Sequence, residues 1–300
     1  MNKQQENPIT EECGALWDAL CAPEQRPFAV ELDSPADGSI DRFMAGAREL
    51  IDGGAALITV ADCPFAKPRM DASITACKLR RELGIDVMPH LTCRDRNLNA
   101  TQALLMGLCA EDVGNVLLVT GDPVPASGRE SVKSVYQFNS RGLIAFVDRL
   151  NRTSLPKPFH IFAALNVNAY NFPVQLALAR EKEASGAVGF LTQPIYTEEA
   201  LDNLQLARET LRGKLLGGIM PIISHRNALY LKNEVAGIRV DEATVSRYEG
   251  ADRARGEELA LELSCSLARR MREYVDGYYL ITPFSRTALM ARIMEQIRAD

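Results

Sequence analysis

Residues 86–123, with the sequence DVMPHLTCRDRNLNATQALLMGLCAEDVGNVLLVTGDP, decide the fold of this chain. Two short apolar runs, Asp86–Leu91 and Val116–Thr120, begin about 30 residues apart, which is close to the length of one βα unit. Both runs are predominantly apolar, as expected for parallel strands that helices cover on both faces. Polar residues follow each run directly. The stretch therefore predicts two parallel strands joined by a helix, with polar side chains at both strand ends.

The same pattern continues from residue 27 to the end of the chain. Further apolar runs are Phe28–Leu32, Ala56–Ala61, His160–Leu165, Val188–Thr192, Leu215–Met220 and Tyr278–Thr282. Segments with helical periodicity lie between them, for example Ile40–Ile51, Ser73–Leu83, Leu143–Leu150 and Ala200–Leu211. Eight strands with helical crossovers predict an α/β fold, a single-domain (β/α)8 TIM barrel. An open doubly wound sheet uses the same units and is the alternative.

The domain organisation follows from this pattern. Residues 27–300 form the predicted barrel, and residues 1–26 form a predicted N-terminal helical extension that contains Trp17 and packs on the outside. The charged residues 241–275 predict extra helix between the seventh and eighth strands. No linker rich in Pro, Gly and Ser divides the chain, which favours one domain.

Composition excludes several classes of function. The net charge is −5 and the pI about 5.5, so the chain lacks the basic surface that nucleic acids or anionic membranes require. No stretch approaches the roughly 18 apolar residues of a membrane span, and the polar N-terminus does not resemble a secretory signal. We therefore expect a cytoplasmic protein. The seven cysteines include no CxxC pair, and we expect no metal site.

Polar side chains follow nearly every predicted strand. They are Glu31 and Asp33, Thr59 and Asp62, His90 and Thr92, Thr120 to Asp122, Asn166 and Asn168, Thr192 and Gln193, and Thr282. In a barrel these positions converge on the end at which the strands terminate, hereafter the mouth, where catalytic residues lie. The sequence therefore predicts an active site at the mouth.

Three of these residues have a chemistry that can be stated. Glu31 lies within an apolar run, where loss of solvent raises the pKa of a carboxyl group as a general acid requires; a solvated glutamate without a role is the alternative. Asp122 follows a glycine and precedes a proline, so it either aims a carboxylate into the mouth or simply forms a turn. Gln193 carries both a donor and an acceptor, which suits the edge of an amide-like ring.

His90 and the lack of two nucleotide-binding motifs bear on which ligands the site can bind. His90 either donates to a ligand or is a satisfied core histidine. The chain has neither a GxxxxGK[ST] phosphate loop nor a GxGxxG turn, so a dinucleotide would have to bind in the mouth.

The segments at the strand ends resemble the methylenetetrahydrofolate reductase family. The matching segments are Val30-Glu31, His90–Asp95, Val119–Pro123, Leu191–Pro194, Gly218–Ile222 and Tyr279–Phe284. The resemblance covers about residues 27 to 295 and is closest to the reductase module of the branch fused to a homocysteine methyltransferase. The chain departs from the usual family pattern at Thr120, Leu165 and residues 224–227.

The resemblance implies a flavoprotein that reduces 5,10-methylenetetrahydrofolate to 5-methyltetrahydrofolate. FAD would bind in the mouth, accept a hydride from NADH or NADPH and pass it to the folate in a ping-pong reaction. Glu31 would be the general acid, Asp122 would hold the pterin and tune the flavin, and Gln193 and Arg286 would contact the folate. The positions implied to bind FAD are Thr59, His90, Thr92, Thr120, Gly121, Tyr136, Asn166, Asn168 and Lys182.

Alternative functions share this site. The same residues could oxidise methyltetrahydrofolate in one-carbon catabolism, because one active site catalyses both directions. The barrel could also be a folate-binding subunit that needs a partner for electron delivery, or it could form a homo-oligomer. A pterin-dependent methyltransferase barrel is a further possibility, but it would require a cobalamin or zinc site that no Cys/His cluster supplies.

Overall fold

The structure is a computed structural model that describes residues 14–22, 24–128 and 130–300. In these ranges eight parallel strands form a closed barrel in which β1 pairs with both β2 and β8. The strands are β1 (Phe28–Glu31), β2 (Leu57–Val60), β3 (Asp86–Thr92), β4 (Asn115–Val119), β5 (His160–Leu165), β6 (Gly189–Pro194), β7 (Lys214–Ile219) and β8 (Gly277–Ile281). The predicted TIM barrel is confirmed, and the open doubly wound sheet is wrong.

Helices connect the strands and cover the outside of the barrel. They are α1 (Ala15–Cys21), α2 (Asp41–Asp52), α3 (Ala72–Leu83), α4 (Leu98–Ala110), α5 (Ser140–Thr153), α6 (Phe172–Ala184), α7 (Glu198–Thr210), α8 (His225–Glu234), α9 (Glu242–Ser246), α10 (Arg253–Met271) and α11 (Thr287–Ala299). The extra helix predicted within residues 241–275 is present as α9 and α10. The described helices include none that is both long enough and apolar enough to cross a membrane.

Side-chain caps fix where many of these helices begin. An Asp, Asn, Ser or Thr at the N-cap accepts a hydrogen bond from the free backbone N–H groups of the first turn, which stabilises the helix start. The capping residues are Asp71, Asn97, Asn139, Thr197, Ser224, Asp241 and Asp252. Several of these caps directly follow a loop of the mouth, so the caps also set the length of those loops.

The barrel interior is a packed core. One apolar cluster inside the barrel includes Leu57, Met88, Phe162, Leu191 and Leu216, each from a different strand and each almost fully buried. Because side chains alternate along a strand, residues two positions nearer the strand end point into the mouth. The core therefore forms a closed floor beneath the polar strand ends.

The N-terminal helix α1 packs differently from the prediction. Leu16 and Leu20 join the interior cluster, and the Trp17 ring stacks on His160, the first residue of β5, with 4.4 Å between ring centroids. The Leu16 backbone N–H also donates to Asp86 at the start of β3, at 3.0 Å. The helix thus closes the end of the barrel opposite the mouth, and the prediction that it packs on the outside is wrong. Residues 1–13 and 23 of the predicted extension lie outside the described residues.

A register shift interrupts β6 just before its end. The pairing of β6 with β7 changes between Leu191 and Pro194, and the Thr192 hydroxyl accepts a hydrogen bond from the Gly218 N–H at 2.8 Å. A Cβ atom at Gly218 would lie 2.6 Å from the Gln193 carbonyl oxygen, so only glycine permits this approach. Bulges of this kind re-aim side chains near active sites, and here the residue concerned is Gln193.

Candidate active site

Glu31 is the last residue of β1 and lies two positions beyond the interior residue Ala29. The Tyr279 hydroxyl of β8 donates a hydrogen bond to Glu31 Oε2. On the other side, His90 Nε2 lies 3.6 Å from the same oxygen, and the Thr59 hydroxyl hydrogen-bonds to His90 Nε2 at 3.0 Å. Four neighbouring strands, β8, β1, β2 and β3, therefore contribute to one polar cluster at the mouth.

The electrostatics of this cluster favour uncharged groups. Burial, followed by the negative charge of Asp33, raises the pKa of Glu31 to about 7, while the Tyr279 hydrogen bond acts in the opposite direction. Burial lowers the pKa of His90 to about 3. The imidazole is therefore neutral at physiological pH, and its contact with Glu31 is not an ion pair. A carboxyl group with a pKa near 7 can both donate and accept a proton at that pH.

Asp33 lies just beyond β1. Burial raises its pKa, and the positive charge of Arg69 counteracts that rise. Arg69 Nη2 lies 3.6 Å from the Asp33 carboxylate, and Arg69 Nη1 donates to the Ser34 carbonyl at 2.7 Å. Arg69 thereby holds the β1–α2 loop close to the carboxyl group of Glu31.

A buried carboxylate, Asp62, organises the end of β3. It accepts hydrogen bonds from the backbone N–H and the hydroxyl of Thr92, at 3.1 and 3.0 Å, and from Arg96 at 2.7 Å. Arg96 also bonds to Asp71, the N-cap of α3, at 2.7 Å. The sequence indicated that Asp62 lies at a strand end, but its role in fixing Thr92 depends on contacts between β2 and β3 that periodicity does not encode.

Asp122 lies in the exposed loop after β4, and its carboxylate is engaged. Asp122 Oδ2 accepts the Phe65 backbone N–H at 2.7 Å, which links the loop after β4 to the loop after β2. The Asp122 carbonyl accepts hydrogen bonds from Arg94 Nη1 and from the Tyr136 hydroxyl, each at 3.2 Å. The Asp122 carboxylate is thus held by the loop after β2, and its backbone carbonyl is held by Arg94 and Tyr136.

Two neighbours of Asp122 complete this loop. Gly121 has φ +88°, and a Cβ there would lie 2.8 Å from Thr92 Cβ, so the position requires glycine. Thr120 is exposed at the end of β4. Tyr136, with φ +39°, closes the loop back onto Gly121 and Asp122.

The predicted residues of β5 and α6 lie in a separate group. Asn166 accepts the Asn168 N–H at 3.0 Å, and the Asn168 amide donates to the carbonyls of Pro194 and Gly237, at 2.9 and 3.1 Å. Asn168 is buried, so its side chain ties loops together, although its Oδ1 is buried without a partner.

Lys182 is a largely buried cation on α6. Its ammonium donates to the Ala164 carbonyl at 2.7 Å, and burial followed by repulsion from Arg141 lowers its pKa to about 8. Among the described residues no carboxylate forms an ion pair with it. A positive charge that lacks a counter-ion fits an anionic ligand group such as a diphosphate.

Arg286 lies at the start of α11 and forms an ion pair with Glu257 of α10. Close by, a cavity of about 1000 Å³ opens between the β1–α2 loop, α2 and the loop after β8. Its lining includes Asp33, Arg69 and Phe284. The cavity reaches Asp33 but is not lined by any member of the Glu31 cluster.

The structure brings Glu31, Thr59 and His90 into direct contact and adds a residue that sequence reasoning missed. Tyr279 was not identified as a partner of Glu31, because the run YYLI offers two neighbouring tyrosines and the sequence does not say which faces inward. Within the described ranges, no group of three or more His, Cys, Asp or Glu residues is arranged to hold a metal ion.

A comparison with known protein families shows to which family the chain belongs. The methylenetetrahydrofolate reductase family matches residues 21–298, nearly the whole chain. This chain belongs to that family. Membership implies oxidoreductase chemistry on a folate, although branches within the family are not distinguished. None of the curated proteins compared with this chain is similar enough in sequence to count as a relative.

Solved structures reproduce the fold at low sequence identity. A Clostridium thermocellum protein that binds two copies of 5-methyl-5,6,7,8-tetrahydrofolic acid superimposes on this family member with a TM-score of 0.67 and 12% identity, covering 95% of this chain and 99% of that one. Dihydropteroate synthase of Thermus thermophilus gives a TM-score of 0.48 and 13% identity, covering 91% and 94%. At these identities the first likeness supports the barrel fold alone.

Proposed function

We propose that this chain is a flavin-dependent methylenetetrahydrofolate reductase that oxidises NADH or NADPH and reduces 5,10-methylenetetrahydrofolate in a ping-pong reaction. The observation that carries the proposal is Glu31, a partly buried carboxyl group with a pKa of about 7 at the mouth of a barrel of this family. The structural neighbour from Clostridium thermocellum binds the methylated product of this reaction, which further supports a folate substrate.

The residues of the mouth fit FAD. Lys182 offers a largely buried positive charge without a carboxylate partner, which suits the diphosphate. Thr59, His90 and Thr92 lie at the mouth with their hydroxyl and imidazole groups bonded to protein partners, whereas Asn168 Oδ1 is a buried acceptor without a partner. FAD, when bound, supplies a carrier that accepts a hydride from the nucleotide and delivers it to the folate.

Glu31 supplies the proton that the folate reaction needs. Ring opening breaks the bond between the methylene carbon and the leaving nitrogen, and that nitrogen takes the proton of the Glu31 carboxyl group. The carbon is left as an iminium cation next to the new Glu31 carboxylate, which stabilises it. Tyr279 holds the carboxyl group through its hydrogen bond to Oε2, so the proton is presented from a fixed position.

The variant Glu31→Gln separates the two half-reactions. Because the amide cannot donate a proton of comparable acidity, we expect reduction of methylenetetrahydrofolate to fall by roughly 100-fold or more. Reduction of the flavin by NADH or NADPH needs no acid, and its rate should stay within about threefold of the wild type. Anaerobic stopped-flow absorbance of the flavin measures both rates.

The matched control is Glu82→Gln, which makes the same chemical change on the exposed face of α3. It should leave both half-reactions unchanged. An equal fall of both half-reactions in Glu31→Gln would show that Glu31 is structural and would contradict the proposed mechanism.

A further inference from the structure

Two turns at the mouth share an unusual sequence and backbone. Cys63-Pro64-Phe65-Ala66 follows β2, and Thr282-Pro283-Phe284-Ser285 follows β8. Each forms a short 3-10 turn in which the phenylalanine and the next residue have positive φ, 56° and 55° after β2 and 50° and 55° after β8. Bulky residues rarely adopt this left-handed conformation, and such backbone strain clusters at functional sites.

Both turns present a phenylalanine ring to solvent. Phe65 is 49% exposed and Phe284 is 70% exposed, in a protein whose other phenylalanines are mostly buried. The same backbone bond closes each turn, because Lys67 N–H donates to the Pro64 carbonyl and Arg286 N–H donates to the Pro283 carbonyl. The turns are therefore built alike, and each leaves about half or more of an apolar ring exposed to water.

The position of the turns connects them to Glu31. In the closed barrel β2 and β8 are the two neighbours of β1, and Glu31 pairs in register with Thr59 on one side and Ile281 on the other. The two phenylalanines therefore follow the strands that flank Glu31.

Each turn is also fixed to a residue expected to contact the folate. The Asp122 carboxylate accepts the Phe65 N–H at 2.7 Å, and Phe284 is two residues from Arg286. The residues of β5 and α6 that are expected to hold the flavin lie away from both turns, whereas Thr59, also expected to hold it, precedes the Phe65 turn on β2. The folate is favoured as the occupant of the two rings because their turns are attached to Asp122 and Arg286.

We propose that Phe65 and Phe284 form an aromatic clamp that holds the flat conjugated rings of the folate against the Glu31 cluster. The inference rests on the proposed function and adds to it two residues that determine substrate affinity. A phenylalanine face stacks on pterin and p-aminobenzoyl rings and removes apolar surface of both partners from water. Asp122 acts in this scheme as a positioning residue, since its carboxylate sets the Phe65 turn.

The test measures folate affinity apart from flavin chemistry. Variants Phe65→Ala and Phe284→Ala, with the stacking-competent Phe65→Tyr and Phe284→Tyr, are titrated with 5-methyltetrahydrofolate by calorimetry under anaerobic conditions. We expect each alanine variant to raise Kd by about tenfold and each tyrosine variant to stay within about threefold of the wild type. The flavin content and the rate of flavin reduction by the nucleotide should not change.

Met106→Ala is the control, because it removes an equally exposed apolar side chain from α4. Unfolding midpoints identify any alanine variant that has lost its fold. For such a position, the Kd of the tyrosine variant is compared with that of the wild type. Wild-type affinity in both alanine variants overturns the clamp while the reductase function stands. Failure of the wild-type protein to bind 5-methyltetrahydrofolate overturns the proposed function, and the clamp falls with it.

Discussion

At the scale of single residues, burial raises the pKa of Glu31 most, and two neighbours then act on it in opposite directions. The negative charge of Asp33 raises the pKa of Glu31, and the hydrogen bond from Tyr279 lowers it. The protonated fraction of an acid falls as the pH rises through its pKa. A reaction that needs protonated Glu31 should therefore slow above about pH 7.

A plot of the rate of folate reduction against pH should therefore have an alkaline limb, where the rate falls as the pH rises. Two substitutions should move this limb in opposite directions. Asp33→Asn removes a negative charge, so the Glu31 carboxylate becomes easier to form and the limb moves to lower pH. Tyr279→Phe removes a donor that favours the charged form, so the limb moves to higher pH. Single-turnover rates of folate reduction between about pH 5.5 and about pH 9 measure both shifts.

The nucleotide half-reaction serves as the control for this pair of variants. It uses no general acid, so neither Asp33→Asn nor Tyr279→Phe should change how its rate depends on pH. Shifts of the same sign in both variants would mean that a group other than Glu31 titrates.

At the scale of elements, α1 shows how a short helix completes the barrel. Leu16 is fully buried at the closed end, and the neighbouring Trp17 ring stacks on His160. Leu16→Ala should leave a cavity and lower the free energy of unfolding by about 2–5 kcal/mol. Urea denaturation followed by Trp17 fluorescence measures the loss.

Cys21→Ser on the same helix provides the matched comparison. Cys21 is exposed, and its replacement should change the free energy of unfolding by less than about 0.5 kcal/mol. If Leu16→Ala proved as mild as Cys21→Ser, α1 would not contribute to the barrel core.

The same helix shows where sequence reasoning stops. The eight strands were predictable because each is a short apolar run, most of them about 30 residues apart, and each run overlaps the observed strand. The amphipathic character of α1 was also readable. Which surface it covers was not, because Leu16 and Leu20 would pack equally well against any apolar surface.

The candidate site was predictable to a similar depth. Strand ends converge in any barrel, so Glu31, Thr59 and His90 could be grouped from their positions alone. Contacts that depend on where a side chain points could not be predicted. Examples are the hydrogen bond from Tyr279 to Glu31 and the hydrogen bond from the Phe65 N–H to Asp122. Those contacts depend on twist and loop geometry, which one sequence does not specify.

At the scale of the whole molecule, the closed barrel offers one mouth to every proposed ligand. A packed core and α1 close the other end. In the proposed reaction the nucleotide and the folate would take turns at this opening, as a ping-pong reaction requires. Under the proposed function, FAD would bind the folded chain only and stabilise it by mass action.

This linkage gives a test that needs no substrate. FAD at about one hundred times its Kd should stabilise the protein by roughly 2.7 kcal/mol, which corresponds to about 5 °C in the unfolding midpoint of a chain of this size. Lys182→Met removes the partly buried cation that we expect to contact the diphosphate, so most of the shift should disappear. Lys78→Met removes a surface charge paired with Glu82 on α3, and its shift should equal that of the wild type. Calorimetric scans with and without FAD measure the unfolding midpoint of each protein. A wild-type midpoint that did not move would contradict the assignment of the mouth to a flavin.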